Sequence, residues 1–251
     1  MMIALAIAAM STASAHKPSY ANDHTTPQKA FEVMDPDISI ALYAEMTCTA
    51  DTLWMHMDTE GIDEVWVELG VPELERLSDY RPSVAIVAEG LPEAELPFEL
   101  PANMGARVVH TDDVEVPGDF FEPFTQTSSW VLFQDWVEVP EDTDVYLVAY
   151  NPEQITGKLW VAVGKTEDFS DVQVSEFVEW VDKTQAFHEV MDEEEHFELD
   201  CSELYDPDEP AAEKAAPASG CSTVASGGSV GSWVWSMMLL VVGFRRRIGV
   251  Q

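Results

Sequence analysis

The stretch TLWMHMD, residues 52–58, and the stretch EVWVELGV, residues 64–71, carry the pattern that decides the fold. In both stretches two sets of side chains alternate, so that every second residue points to the same side of an extended chain. Gly61 lies between them, at a position typical of a turn. The two stretches therefore predict consecutive strands of a mainly β domain.

Six further segments have a similar short apolar or alternating pattern, namely residues 38–47, 83–88, 106–111, 130–139, 143–150 and 158–163. Clusters of turn-forming residues separate several of them, such as Pro140-Glu141-Asp142. Eight strands at fairly regular intervals favour a sandwich over alternating strands and helices. We therefore expect an antiparallel, jelly-roll-like β-sandwich.

The periodicity changes to that of a helix after residue 170. Apolar side chains recur there at helical spacing, at Val174, Phe177, Val178, Val181 and Phe187. Ser170 and Gln173 fit a capping box, and the acidic run 192–195 would end the helix because its charges oppose the helix dipole. The pattern predicts one C-terminal amphipathic helix over residues 170–191. We expect it to pack on an end or edge of the sandwich, and a helix that binds a partner is the alternative.

Composition divides the rest of the chain. Residues 1–15 contain an apolar run and end in Ala13-Ser14-Ala15, which predicts a signal peptide and its cleavage site. Residues 16–30 are polar and predict a flexible leader, and residues 31–201 would form the folded domain. Residues 202–220 are acidic and then rich in Ala and Pro, as expected of an extended linker.

The last part of the chain, residues 221–251, contains an apolar segment at residues 224–244. As a helix this segment would be about 31 Å long, which is enough to cross a hydrocarbon core of about 30 Å. Gly220 and Cys221 precede it, and the triplet Arg245, Arg246 and Arg247 follows it, where positive charge would stay cytoplasmic. We expect a membrane anchor here.

The order of small residue, cysteine, short membrane segment and arginines resembles the MYXO-CTERM sorting signal of myxobacterial surface proteins. The resemblance implies that Cys221 is the processing position of a membrane protease of the myxosortase type, which leaves the mature protein attached at the cell surface. With the signal peptide, it implies an exported protein of the cell envelope, anchored at the cell surface or outer membrane. An ordinary anchor helix preceded by a chance cysteine is the alternative.

A second resemblance concerns the folded part. Its acidic turn, strand, Asp/Gly turn and strand, over residues 50–69, are similar to the pre-peptidase C-terminal type of secreted β-sandwich domain. Residues 143–163 repeat part of that pattern. Such domains are generally non-catalytic accessories implicated in secretion or in binding of substrates or surfaces, and the resemblance implies a role of that kind.

The charge of the chain excludes one class of partner. The sequence has 47 Asp and Glu against 12 Lys and Arg, a formal net charge of −35. Nucleic acid binding needs clustered Lys and Arg to neutralise phosphates, so we expect no nucleic acid partner. We interpret the acidity as a solvated surface suited to high salt. Binding of calcium by clustered carboxylates is the second interpretation.

Residues 92–130 form a long insert between predicted strands, and long loops on a rigid sandwich often carry binding residues. The insert combines aromatic side chains at Phe120, Phe121 and Phe124 with four candidate calcium ligands, Asp112, Asp113, Asp119 and Glu122. It could bind calcium or a polar ligand such as a glycan or peptide. Alternatively, the phenylalanines pin the loop into the mouth of the sandwich as a small satellite core.

Two cysteines remain if Cys221 belongs to the sorting signal. In an exported domain Cys48 and Cys201 would form a disulfide that closes a loop of about 150 residues and stabilises the fold by about 4 to 5 kcal/mol. Two buried free thiols are the alternative.

The sequence contains none of the common catalytic motifs, such as G-x-S-x-G, H-E-x-x-H or C-x-x-C. His188 and His196 flank acidic residues, which we interpret as a solvated charged run rather than a transition-metal site. We predict an exported, surface-anchored, non-enzymatic β-sandwich with a structural or binding role and no cofactor other than the calcium considered above. A calcium-dependent or glycan-binding adhesion module is the first alternative, and a secreted enzyme is the second.

Overall fold

The computed structural model describes residues 16–20 and 23–190. They form two mixed sheets packed as a sandwich and one C-terminal helix, α1 (Val174–Phe187). The strands are β1 (Lys17–Tyr20), β2 (Phe31–Glu32), β3 (Ile40–Met46), β4 (Thr52–Asp58), β5 (Glu64–Pro72), β6 (Ser83–Glu89), β7 (Met104–Val109), β8 (Gly118–Glu122), β9 (Thr127–Glu138), β10 (Asp144–Tyr150) and β11 (Gly157–Val163). The larger sheet has the order β1-β3-β11-β5-β9-β8, and the smaller one β2-β4-β10-β6-β7.

The main core lies between the two sheets. Leu53, Met55 and Met57 of β4 face this core, as do Val65 and Val67 of β5, and all five are almost completely buried. Side chains on alternate positions of β4 point the other way, because successive residues of a strand point to opposite faces. The sandwich predicted from the alternation in these two strands is confirmed.

The prediction of purely antiparallel sheets is wrong. β1 pairs with β3 in parallel, with Lys17 opposite Ile40, and β2 pairs with β4 in parallel, with Phe31 opposite Met55. The predicted flexible leader, residues 16–30, is therefore ordered at Lys17–Tyr20. Its polar composition did not indicate a strand because β1 is held at a sheet edge by backbone hydrogen bonds, which any residue with an N–H can form.

The insert of residues 92–130 is also more regular than predicted. β8 and the first part of β9 form an antiparallel hairpin, in which Phe120 lies opposite Ser129. A four-residue turn, 123–126, joins them, and Gln126 adopts a positive φ of 57° there. The phenylalanines of the insert thus lie on a strand and a tight turn.

Helix α1 is shorter than predicted, and its cap is different. The backbone N–H of Gln173 donates to the Glu176 carboxylate at 2.6 Å, so the cap joins Gln173 and Glu176 rather than Ser170 and Gln173. Val174 and Val178 were predicted to face the domain, but they are 81% and 59% exposed. The helix packs through a face that is rotated from the predicted one, which keeps Phe177 and Phe187 and adds Trp180 and Thr184.

The position of α1 corrects a further expectation. Its packed residues meet Tyr43 of β3, Lys158 of β11 and Ser129 of β9. These strands belong to the larger sheet, so α1 covers the outer face of that sheet rather than an end or edge of the sandwich.

Several predicted features lie outside the described residues. They are the signal peptide, the linker, the membrane segment with its sorting residues, and the end of the folded domain, at residues 1–15, 202–220, 220–251 and 191–201. Within the described part, no helix is long and apolar enough to cross a membrane.

Candidate functional site

A cavity of about 160 Å³ lies between helix α1 and the outer face of the larger sheet. We call it the aromatic cavity, because seven of its lining residues are Phe, Tyr or Trp. Its lining comprises His16, Pro18, Tyr43, Phe120, Glu122, Phe124, Thr125, Trp160, Phe169, Phe177, Trp180 and Thr184.

The floor of the aromatic cavity is formed by rings on the sheet. Trp160 of β11 is central, with ring centroids of Phe120 and Tyr43 at 6.2 and 6.5 Å and that of His16 at 6.0 Å. The indole is 2% exposed, and its Nε1–H donates to Ser129 Oγ at 3.1 Å. Neighbouring strands therefore hold the floor rings in fixed positions.

The roof is formed by rings on and before the helix. Phe177 contacts Trp180, Phe169 and Phe124, with centroid distances of 5.3, 5.9 and 5.4 Å. Phe124, in the β8–β9 turn, is about half exposed and lies at the edge of the roof. Among the described rings that line the cavity, no contact joins a roof ring to a floor ring; beyond the lining, Phe187 at the end of the helix contacts Tyr43 with ring centroids 5.1 Å apart. The cavity is the space between these two groups.

The C-terminal end of α1 is fixed to the sheet by a chain of hydrogen bonds. His188 Nδ1 lies 2.8 Å from the carbonyl oxygen of Thr184, so it must carry the proton and donate. His188 Nε2 then accepts from the Ser129 hydroxyl at 3.0 Å, while Ser129 accepts from Trp160. Burial lowers the pKa of His188 to about 4, and the charge of Lys158 acts in the same direction.

The interpretation of His188 as part of a solvated charged run is wrong, because this residue is only 6% exposed and is hydrogen-bonded on both ring nitrogens. Ser129 and His188 do have the hydrogen bond of a nucleophile and its general base. However, Ser129 is 4% exposed and its hydroxyl already links the indole to the imidazole. The pair therefore positions the helix above the floor.

A buried ionic cluster holds the same end of the helix. Lys158 Nζ lies 2.7 Å from the Glu189 carboxylate and donates to the carbonyl of Phe187 at 3.0 Å. Arg76 also pairs with Glu189. A cation beside the last carbonyls of a helix is favourable because it complements the helix dipole. The roof is thus anchored at its C-terminal end.

The opposite side of the roof is held by polar contacts to β1 and to the hairpin turn. The Tyr20 hydroxyl contacts Thr184, and Lys17 forms an ion pair of 2.6 Å with Asp171. Gln185 Nε2 donates to the carbonyl of Thr125 at 2.9 Å. The parallel strand β1, which was expected to be part of a flexible leader, therefore supports the site.

Polar groups in the aromatic cavity are few. Among the described lining residues, Glu122 and His16 are the titratable groups besides Tyr43, and the two threonines are already hydrogen-bonded. The backbone N–H of Phe124 donates to Glu122 Oε1 at 2.9 Å. Burial raises the pKa of the Glu122 carboxyl, and the hydrogen bond from Phe124 offsets this only in part.

His16 is directed toward a different carboxylate. Its Nδ1 lies 2.5 Å from Ser39 Oγ, and its Nε2 lies 3.5 Å from the Glu68 carboxylate. None of the ion pairs found among the described residues includes Glu122. The cavity therefore combines aromatic rings with one carboxylate that forms no ion pair among the described residues, although the nearby His16 acts on it electrostatically and lowers the pKa of its carboxyl.

The four predicted calcium ligands are not brought together. Asp112 and Asp113 are exposed in the connection between β7 and β8. Asp119 and Glu122 are three residues apart on β8, so their side chains leave opposite faces of the strand. Across residues 16–20 and 23–190, no group of three or more His, Cys, Asp or Glu is placed to hold a metal ion. Calcium binding at these residues has no geometric support in the described structure.

The phenylalanines of the insert divide between the two alternatives given above. Phe120 packs onto Trp160 as part of a small outer core, as expected for a satellite core. Phe124 contributes to the roof, and Phe121 is 53% exposed.

Of the two cysteines predicted to form a disulfide, Cys48 lies in the turn between β3 and β4, and Cys201 lies outside the described residues. The bridge remains a prediction.

Four lining residues of the cavity were singled out from the sequence, namely Phe120, Glu122 and Phe124 in the insert and Phe177 in the helix, but not as parts of one site. Trp160 of the floor and Trp180 of the roof were missed. The sequence did contain one indication that the larger sheet is covered on its outer face. The run KLWVAV, residues 158–163, is apolar on both sides of the strand, which is typical of a strand covered on both faces.

Comparison with known protein families and with curated proteins gives no match for this chain.

Proposed function

We propose that this protein is an exported, cell-surface-anchored and non-enzymatic β-sandwich that binds a small ligand in the aromatic cavity. The observation that carries the proposal is the separation of the roof rings from the floor rings by a space of about 160 Å³. The jelly-roll-like arrangement and the accessory role implied by the sequence resemblance belong to the same proposal.

The energetics of cavities support a binding role. An apolar space that no side chain fills leaves its lining rings without dispersion contacts on one side. A ligand that occupies the space regains dispersion contacts with the lining rings. An apolar cavity of about 150 Å³ accepts benzene, so a group of about six heavy atoms matches this one.

The anchoring of the helix also supports binding. His188 and Glu189 hold the C-terminal end of α1 through directed hydrogen bonds and an ion pair, and Lys17 pairs with Asp171 in the segment that precedes the helix. A roof held in this way cannot close onto the floor without breaking those contacts. A preformed site costs less free energy to order when the ligand binds.

The binding proposal is tested with a neutral probe, 3,3-dimethylbutan-1-ol, added to the full-length protein in a sugar-based detergent. We expect binding by calorimetry and a change in tryptophan fluorescence, because Trp160 and Trp180 line the cavity. Phe177→Ala should weaken binding, whereas Val178→Ala on the exposed side of the same helix should not. Absence of binding of this probe and of its charged analogue, described below, would overturn the proposal.

Export and anchoring are tested separately by mass spectrometry of membrane-extracted protein. We expect the mature chain to begin at His16 and to lack residues 222–251, and we expect Cys221→Ala to retain the whole tail. An intact terminus containing Arg245, Arg246 and Arg247 would contradict the proposed processing.

A further inference from the structure

We propose that the ligand of the aromatic cavity is a small quaternary ammonium ion, held against the ring faces with the Glu122 carboxylate as its counter-charge. This inference rests on the proposed function, because it names the class of ligand for the same cavity.

The ring lining suits a cation of this type. A cation within about 6 Å of an aromatic centroid is attracted to the negative face of the ring, by about 0.5 to 2 kcal/mol for each contact. A quaternary ammonium group has no N–H, so it needs no hydrogen-bond acceptors when it leaves water. Among its described lining residues the aromatic cavity offers few acceptors but many aromatic rings, including those of Tyr43, Trp160, Phe177 and Trp180.

Glu122 supplies the second requirement, a negative charge beside the rings. It follows Phe120 by two residues on β8, so both side chains leave the same face of the strand, next to Trp160. The Phe124 N–H orients one carboxylate oxygen at 2.9 Å and leaves the other acceptor sites of the group for a ligand. A charge pair in a partly buried site is screened less than one in water.

The surroundings disfavour an anion at the same position. No lysine or arginine is among the described residues that line the cavity, and the basic residue His16 is directed toward Ser39 and Glu68. Lys17, near the roof, is paired with Asp171, and Lys183 is paired with Glu179. The formal net charge of −35 steers cations toward the protein and repels anions. For this reason we assign the site to a free quaternary ammonium ion rather than to a phosphate-bearing lipid headgroup.

Size is consistent with this assignment. A trimethylammonium group with the carbon that carries it has about five heavy atoms, slightly fewer than benzene, which fits a cavity of about 150 Å³. The aromatic cavity, at about 160 Å³, can therefore enclose such a group.

The test compares choline with 3,3-dimethylbutan-1-ol, which has the same shape but carbon in place of the charged nitrogen. Binding of both to the full-length protein is measured by calorimetry. We expect choline to bind about tenfold more tightly than the alcohol. In Glu122→Gln we expect this preference to fall but not to vanish, because the rings still favour the cation, with binding of the alcohol unchanged. Asp119→Asn, which removes an exposed carboxylate from the same strand, is the matched control and should retain the preference.

The outcomes separate the two proposals. If the alcohol binds as tightly as choline, the cation inference is overturned while the binding cavity remains supported. If choline is preferred but Glu122→Gln keeps the whole of that preference, the assigned counter-charge is wrong. Loss of binding of both probes to Glu122→Gln, together with a lower melting temperature, would also contradict the assignment, because the alcohol does not need the charge. If neither probe binds the wild-type protein, the proposed function falls as well.

A third probe distinguishes the source of the ammonium group. Glycerophosphocholine carries the same cation next to a phosphate, as a lipid headgroup does. We expect it to bind more weakly than choline because the phosphate would approach Glu122. Tighter binding of glycerophosphocholine would overturn the assignment to a free ion and place a lipid headgroup in the cavity.

Discussion

The indole ring of Trp160 lies directly across Gly70, its partner on the neighbouring strand. A Cβ atom built on Gly70 would be 2.3 Å from Cζ2 of the indole, which is closer than any real contact. Because Gly70 has no side chain, the ring can extend over β5 and reach Ser129 on β9. One glycine thus allows one tryptophan to form the floor of the aromatic cavity.

Gly70→Ala should therefore destabilise the protein. The new methyl group would displace a ring that is held by strand pairing and a hydrogen bond, and overpacking of this kind costs about 1 to 3 kcal/mol. Urea denaturation measures the loss. Gly118→Ala is the control, because a Cβ there has its nearest neighbours at 3.8 and 3.9 Å. If both substitutions lower the free energy of unfolding equally, the contact with Trp160 is not the cause of the loss.

A second prediction concerns the pH dependence caused by His188. Its folded-state pKa, about 4, lies below the ordinary value of 6.5, so the folded protein resists protonation of this residue. The contribution to stability is complete above pH 6.5 and is lost as pH falls toward 4, by about 3 kcal/mol in total. Denaturation curves of the wild type should therefore show a steeper loss between pH 6.5 and 4.5 than those of His188→Gln.

Only the slopes are compared in that experiment, because His188→Gln also removes two hydrogen bonds and will be less stable at every pH. Other acidic groups titrate equally in both proteins, so their effects cancel in the difference. Parallel curves would contradict the buried neutral imidazole.

His56 should show the opposite behaviour. Burial lowers its pKa, but hydrogen bonds to Glu32 and Asp144, at 2.9 and 3.0 Å, outweigh burial and raise it above 6.5. The resulting stabilisation is complete below pH 6.5 and is lost as pH rises through the folded-state pKa. Both carboxylates are more than half exposed, so the effect on stability should stay below about 1 kcal/mol.

Nuclear magnetic resonance measures the His56 titration directly. We expect a midpoint above 6.5 in the wild type and a lower midpoint in the double variant Glu32→Gln, Asp144→Asn. Glu153→Gln, in the turn between β10 and β11, serves as the control. An unchanged midpoint in the double variant would mean that these carboxylates do not raise the pKa.

The sequence predicted the sandwich because strands such as β4 and β5 alternate strictly between two environments. It did not predict β1 or β2, because a short parallel strand at an edge depends on backbone pairing, which leaves no side-chain pattern. The aromatic cavity was harder to predict from the sequence than these strands. Its roof comes from α1 and its floor from β11 and β8, and periodicity within one element does not say which strands a helix will cover.

The predicted disulfide between Cys48 and Cys201 is tested on Cys221→Ala protein, which leaves two cysteines. Alkylation under non-reducing, denaturing conditions should modify neither residue. Reduction should lower the free energy of unfolding by about 4 to 5 kcal/mol, because the bridge would close a loop of about 150 residues. Double alkylation without reductant would refute the bridge.

The last prediction separates general salt effects from a calcium site. Carboxylate repulsion acts over a Debye length that falls from about 10 Å at 0.1 M to about 3 Å at 1 M, so the melting temperature should rise with NaCl over this range. Calcium at matched ionic strength should add nothing further, because Asp119 and Glu122 leave opposite faces of β8. A specific site would instead raise the melting temperature by mass action at millimolar calcium.

Asp112→Asn with Asp113→Asn provides the control for that comparison. If calcium exceeds NaCl in the wild type and the excess disappears in this variant, the calcium-dependent module becomes the better account of the insert. If the melting temperature does not change with NaCl, repulsion among the 47 acidic residues is not limiting stability, and the interpretation of the acidity as a solvated surface suited to high salt is wrong.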